Sequence, residues 1–204
     1  MNYILPLIIG FGAAFLGMIQ PGMLNMTAVK ISLSKGKSEG LKFSVGAASV
    51  VIIQAFIAVV FAKYLVDNPE VINWLKKIAV FVLLALAISF FMQAGKEMKA
   101  TGKDKKGNNY LVGFLMSLLN MLAIPFYLVA ATWAESKGYF KIEPPYSYLY
   151  VIGAVFGSFS IFAIYAIFAK KIANKAQFIA KNINYILAVL FIVLALLTAY
   201  QVYL

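Results

Sequence analysis

The sequence predicts an all-α integral membrane protein with six transmembrane helices, arranged as two inverted three-helix repeats. Of its 204 residues, 63% are hydrophobic and 12% are charged, whereas an ordinary soluble domain is about 45–50% apolar and about 25% charged. A soluble fold of this length leaves more than about a quarter of its unfolded surface in water, so it cannot hide that much apolar surface. The composition therefore excludes a soluble enzyme, a disordered protein and a nucleic-acid binder, despite the net charge of +11.

Six apolar runs are each long enough to cross a hydrocarbon core, which needs about 20 helical residues. The predicted spans are 3–29, 43–65, 71–94, 109–133, 147–169 and 179–203. The connections between them are too short to hold another domain. We therefore expect residues 1–204 to form a single six-helix membrane transport domain.

The first run differs from a secretory signal peptide. No positively charged segment precedes it, no small-residue cleavage site follows it, and its apolar stretch is too long. We expect it to be retained as the first transmembrane helix.

The lysines predict the orientation. The connections 30–42, 95–108 and 170–181 share one side of the membrane and hold thirteen of the 18 basic residues. Because positively charged loops stay in the cytoplasm, this side is expected to be cytoplasmic and both termini outside. The same lysines are expected to contact anionic lipid headgroups rather than nucleic acid. Aromatic residues, Tyr150 among them, are expected to cluster at the outer interface.

Several kinds of chemistry lack their residues. The chain has no Cys and no His, which removes thiolate chemistry and the usual transition-metal ligand. All seven carboxylates fall in predicted loops or at helix ends, so no span carries an ionisable group near its centre. We expect no enzyme activity, metal site or cofactor. Glu39 is the best candidate for titration or substrate attraction, and a solvated loop charge is the plainer interpretation.

Polar groups beside helix breaks mark both halves of the chain. The first span contains Gln20, Pro21 and Gly22, and the fourth contains Asn120 followed by Pro125. An odd number of spans in each half requires any repeat to be inverted, as in secondary transporters whose sites lie beside broken helices. Small-residue pairs, Gly10/Ala14 and Gly153/Gly157, predict close helix packing.

These features predict a substrate path. Proline and glycine leave backbone carbonyls inside the bundle without their helical partners, and a zwitterionic or polar solute can use them. Taken alone, a simple structural kink is the plainer interpretation. Buried amides line such a path or tie helices together. Of the tyrosines, only Tyr127 and Tyr165 are expected deep in the core, where Tyr165 gates the path or simply packs. The predicted path residues are Gln20, Pro21, Gly22, Asn25, Gln54, Asn120, Pro125 and Tyr165.

The stretch QPGMLNMTAVKISLSKGKSEGLKFSVGAA resembles the LysE/RhtB family of amino-acid exporters, with matching glycines at Gly36, Gly40 and Gly46. GFLMSLLNMLAIPF resembles the family's Asn-Pro-Lys region, and Tyr165 in YAIFAKKI also fits the pattern. The chain is a divergent member, because Met23 replaces a second proline, and Met121 and Leu122 replace the Pro and Lys of Asn-Pro-Lys.

The resemblance implies a secondary exporter of amino acids or similar small polar metabolites in the bacterial cytoplasmic (inner) membrane. No nucleotide-binding motif is present, so a proton gradient or the membrane potential is expected to drive it. Two alternatives remain: a cation or heavy-metal efflux protein of the same superfamily, and a non-transporting membrane scaffold subunit. The oligomeric state stays open, a homo-oligomer included.

Overall fold

A computed structural model of the chain describes residues 3–93, 107–120 and 122–203. This part of the chain is helical, as predicted. Its helices are α1 (Ile4–Gly17), α2 (Met23–Lys35), α3 (Lys37–Asp67), α4 (Pro69–Gln93), α5 (Asn109–Leu118), α6 (Ala123–Ser136), α7 (Tyr146–Ile167) and α8 (Ala169–Tyr203).

The contacts divide the chain into two compact units. One comprises Met1–Tyr64 and Ala100–Asn174, and contains α1, α2, α5, α6, α7 and most of α3. The other comprises Leu65–Lys99 and Lys175–Leu204, and contains α4 and most of α8. The candidate functional site lies entirely within the first unit.

Two helices, α3 and α7, are each long and apolar enough to cross a membrane. The pair α5 and α6, whose axes differ by 66°, makes a third span if it is counted as one broken helix. Within the described residues, α1, Lys77–Ser89 and Ala188–Tyr200 are shorter apolar helices. The chain is thus a membrane protein by its helices, and the count of six spans and their inverted repeat stay predictions.

The segments predicted as connections, 30–42 and 170–181, are almost entirely helical. Gly36 alone separates α2 from α3, and Phe168 alone separates α7 from α8. Lysine is a good helix former, so a cluster of lysines shows where a helix leaves the apolar layer rather than where it ends. The turn at Gly36 has a φ of 96°, which glycine adopts without strain. Of the third lysine-rich connection, 95–108, residues 95–106 lie outside the described residues.

Two helix pairs pack with their backbones in direct contact. Each helix of a pair contributes one glycine, and a Cβ built on that glycine would overlap a carbonyl oxygen of the partner helix. That carbonyl belongs to the residue three positions before the partner helix's own glycine. The contacts are Gly10 to Tyr150 and Gly153 to Leu7 between α1 and α7, and Gly46 to Tyr110 and Gly113 to Phe43 between α3 and α5. We call these the reciprocal glycine crossings. They confirm the close packing predicted at Gly10 and Gly153.

Two apolar clusters fill the first unit. One surrounds Tyr127 and Tyr150 and is rich in alanines from α3 and α6. The other surrounds Phe43, Phe162 and Tyr165. Met18 packs against both clusters, so the break that follows α1 lies between them.

Tyr150 corrects one prediction about the aromatic residues. It is fully buried in the protein, whereas the aromatic residues of an interface face lipid and water. Its ring stacks on Phe140 at 5.8 Å, and its hydroxyl donates to the Tyr127 carbonyl at 3.0 Å. The cause is the connection 137–145, whose Phe140 and Ile142 are buried over the start of α7. Such a fold-back leaves no trace in local sequence periodicity.

Candidate functional site

The first helix is broken between α1 and α2, at the predicted Pro21-Gly22 position. Pro21 has no N–H for the carbonyl of Gly17, and Gly22 precedes α2 in an extended conformation. The carbonyls freed by the break are bonded by side chains. Asn25 donates from Nδ2 to the carbonyls of Met18 and Gln20, both at 2.7 Å.

A second side chain completes this arrangement. The Tyr165 hydroxyl on α7 donates to the Ile19 carbonyl at 2.6 Å. Three consecutive carbonyls of the break are therefore bonded by the protein itself. That a solute also uses these carbonyls stays a prediction.

The second break separates α5 from α6 and contains Asn120. The buried Gln54 on α3 donates from Nε2 to the carbonyls of Ser117 at 2.8 Å and Asn120 at 3.1 Å. Pro125 lies in the first turn of α6, where its missing N–H costs little. Its effect is on the preceding residues, since it cannot continue an unbroken helix from α5.

A cavity of about 240 Å³ lies where the two breaks meet. Its lining comes from the end of α1, the start of α2, the end of α5, and α7. The lining residues are Gly17, Met18, Gln20, Gly22, Met23, Leu24, Asn25, Met116, Leu119, Asn120 and Phe162.

The polar side of the cavity has both donors and acceptors. The first turn of α2 faces it, and Gly22 supplies no side chain to cap that turn. N–H groups in a first turn have no carbonyl partner within their helix and attract anions. Asn25 is 3% exposed, and its Oδ1 has no hydrogen-bond partner. The Gln54 Oε1 is likewise buried without a partner.

The predicted path residues fall into three groups. Gln20, Gly22, Asn25 and Asn120 line the cavity together. Gln54 and Tyr165 lie behind the lining, each bonded to the carbonyls of one break. Pro21 and Pro125 are outside the lining, because one is buried in its break and the other is exposed on α6.

The apolar lining was missed. Met116 precedes Asn120 by four residues and Phe162 precedes Tyr165 by three, so helical spacing would have placed each near a predicted path residue. Methionine and phenylalanine are ordinary core residues, and nothing in their type distinguishes a cavity wall from a packed interior.

Glu39 lies at a different place from the cavity. It is in the first turn of α3 rather than in a loop. Its Oε1 pairs with Lys42 at 2.6 Å and its Oε2 accepts from Asn109 Nδ2 at 2.6 Å. Asn109 is 4% exposed at the start of α5, and its Oδ1 accepts from Lys35 at 3.5 Å. The carboxylate therefore ties α3 to α5 at the lysine-rich end.

The model of the LysE type translocator family matches residues 15–202, which include both breaks and all of the cavity lining. The chain belongs to this family. The translocator is thus a membrane transport protein, and its family consists of transporters rather than enzymes. No curated protein and no solved structure matches the translocator significantly.

Proposed function

We propose that this translocator is a secondary exporter of amino acids or similar small polar metabolites, and that the cavity at the two breaks is its substrate site. The observation that supports this proposal most directly is the position of the cavity. In this member of the LysE type translocator family, residues of both helix breaks line the same cavity. Broken helices at a repeat interface are where secondary transporters bind their solutes.

The cavity offers partners for both ends of a zwitterion. The uncapped first turn of α2 suits a carboxylate, because its N–H groups and helix dipole favour negative charge. The unpartnered Asn25 Oδ1 and the side-chain oxygen of Asn120 suit an ammonium group. In this conformation Asn25 Oδ1 is closed off from solvent, so we place its contact with substrate in a more open state of the cycle.

The reciprocal glycine crossings support the inverted repeat. The crossing of α1 with α7 has the same three-residue offsets as the crossing of α5 with α3. In the proposal, α1–α2 corresponds to α5–α6 and α3 corresponds to α7, which would leave α4 and α8 as the third spans. Equivalent contacts in the two halves are what a duplicated three-helix unit would produce.

The hydrogen bonds to the breaks support the same correspondence. Gln54 bonds the second break from α3, and Tyr165 bonds the first break from α7. The helix α1 crosses α7 at the glycines, and α7 also bonds the break that follows α1. In the same way α5 crosses α3, and α3 bonds the break that follows α5. Alternating access would proceed by exchange of these contacts around the cavity, driven by a proton gradient or the membrane potential.

The protein's orientation in the membrane and its contacts with lipid follow from the lysines. Six spans would cross the bacterial cytoplasmic membrane, with the lysine-rich connections in the cytoplasm against anionic headgroups and both termini outside. A homo-oligomer is compatible with this arrangement, and no nucleic acid takes part.

Substrate release from cells tests the proposal. Cells expressing the protein are loaded with dipeptides so that free amino acids accumulate, and extracellular amino acids are profiled over time. We expect release of one or a few amino acids, reduced at least about tenfold in Asn120→Leu, which loses a polar group of the cavity.

The matched control is Asn108→Leu, which removes an exposed amide outside the cavity. Because the Asn108 side chain caps α5 by accepting from the Tyr110 N–H, this control is expected to cost about 1 kcal/mol of stability. It is expected to release amino acids at the rate of the unsubstituted protein. Equal release by Asn120→Leu would remove that side chain from the site. No release above the background of cells lacking the protein, with the protein inserted, would contradict amino-acid export.

Tyr165→Phe tests the contact between α7 and the first break. Loss of the one hydrogen bond to the Ile19 carbonyl is expected to cost about 1 kcal/mol of stability and to slow transport about 3- to 10-fold. Tyr150→Phe, on the same helix, also removes one hydroxyl bonded to a backbone carbonyl but lies away from the cavity. Initial transport rates should fall only in Tyr165→Phe, whereas equal rates in both variants would assign Tyr165 a purely structural role.

A further inference from the structure

The cavity has a second, apolar side that the proposed function does not use. Met18, Met116 and Phe162 form part of this wall, opposite in character to Asn25 and Asn120. Every described residue that lines the cavity is uncharged. The two polar residues behind it, Gln54 and Tyr165, are also neutral.

A charged substrate side chain would meet no counter-charge from this lining. Its burial would remove water from an ion without replacing it by a partner, which is strongly unfavourable inside a membrane protein. The backbone charges of an amino acid differ in this respect, because the start of α2 and the amide oxygens offer them partners. The lining therefore discriminates at the substrate's side chain rather than at its backbone groups.

The apolar wall is adaptable in shape. Met18, Met23 and Met116 are unbranched thioethers that rearrange to fit irregular apolar groups. Phe162 is 1% exposed, which makes it the fixed part of the wall. Tyr127 contacts the Met18 sulfur at 4.0 Å, so Met116 is the methionine of the wall that we choose for substitution. A volume of about 240 Å³ is below the range of about 300–1,000 Å³ of cavities that hold drug-sized ligands.

We propose that the site selects amino acids whose side chains are uncharged, apolar and flexible, with methionine and leucine as the representative substrates. The inference rests on the proposed function, since it assigns the side-chain specificity of that same site. Met116 is a specificity-determining residue of the wall, and it lies on α5 four residues before Asn120.

Exchange measurements in proteoliposomes test this specificity. The purified full chain is reconstituted, the vesicles are filled with methionine, leucine, lysine or glutamate, and uptake of the same labelled amino acid is followed. We expect methionine and leucine to exchange about 100-fold faster than lysine and glutamate. This ratio follows from the free-energy cost of burying the unpaired charge of a lysine or glutamate side chain.

A charge placed in the wall should change the preference. Met116→Asp puts a carboxylate opposite the substrate side chain and is expected to raise lysine exchange until it lies within about tenfold of methionine exchange. Met116→Asn is the matched control, because an asparagine side chain has nearly the same shape and polarity as an aspartate side chain but carries no charge. It should leave lysine excluded.

The outcomes separate the two proposals. Lysine or glutamate exchange as fast as methionine exchange in the unsubstituted protein would overturn the specificity while leaving amino-acid transport intact. Lysine exchange raised equally by Met116→Asp and Met116→Asn would overturn the assignment of charge exclusion to this wall. Absence of exchange for all four amino acids would overturn the proposed function and the specificity together.

Discussion

Replacing Asn25 with leucine is expected to abolish transport and to destabilise the protein by about 2–4 kcal/mol. Asn25 Nδ2 bonds both the Met18 and the Gln20 carbonyls, and the amide is 3% exposed. Leucine would leave the Met18 carbonyl without this donor, at about 1–3 kcal/mol. The Gln20 carbonyl would keep the Gly22 N–H at 2.7 Å and lose one hydrogen bond, at about 1 kcal/mol. The break would therefore have to rearrange for the Met18 carbonyl to recover a donor.

Thermal unfolding in detergent and amino-acid exchange in proteoliposomes measure the two effects. Thr27→Val is the matched control, since the Thr27 hydroxyl is buried on the same helix but bonds only the Met23 carbonyl of its own helix. It should unfold within about 1 kcal/mol of the unsubstituted protein. Asn25→Asp keeps the shape but loses both donor hydrogens, so it should fail as Asn25→Leu does. Normal stability and exchange in Asn25→Asp would show that the two bonds do not hold the break.

Alanine at a reciprocal glycine crossing is expected to have the second large effect. In Gly10→Ala the new Cβ would overlap the Tyr150 carbonyl, which is backbone and cannot move aside alone. The helices α1 and α7 would separate, at a cost of about 1–3 kcal/mol or more. Gly113→Ala should have the same effect on α3 and α5, because its Cβ would overlap the Phe43 carbonyl.

Gly12→Ala is the control on the same helix, since a Cβ at Gly12 would meet nothing within 4 Å. Alanine is favoured over glycine inside a helix by about 1 kcal/mol, so Gly12→Ala should match or exceed the melting temperature of the unsubstituted protein. Comparable melting temperatures for Gly10→Ala and Gly12→Ala would rule out a backbone contact between α1 and α7.

The breaks were predictable because their causes are local. Pro21 has no N–H and Gly22 has no side chain, and both facts hold wherever the residues lie. The amides Asn25 and Asn120 were predictable for a related reason, since polar groups inside apolar runs need partners. Which partners they find was not predictable. Asn25 bonds its own break, whereas Asn120 accepts through its backbone from Gln54 on another helix.

The remaining differences come from contacts between distant parts of the chain. The burial of Tyr150 depends on Phe140, which reaches it through a connection that local periodicity describes only as a loop. The apolar wall depends on bringing Met116 and Phe162 to one place from α5 and α7. The ends of the helices at the lysine-rich segments were not predictable from composition. A cluster of lysines marks where a helix leaves the membrane, and the helix itself can continue beyond that point.

The corner at Gly36 has a mechanical consequence. The Gly36 N–H donates to the Ser32 carbonyl at 3.1 Å, and Gly40 lies against the Ser32 side chain, so the corner is packed on both sides. From there α3 runs unbroken to Gln54, about 26 Å along its axis, and Gln54 holds the second break. The helix α2, which follows the first break, is therefore joined through this packed corner to α3, whose Gln54 bonds the second break. We expect a displacement of α2 at the first break to be transmitted along α3 to the second.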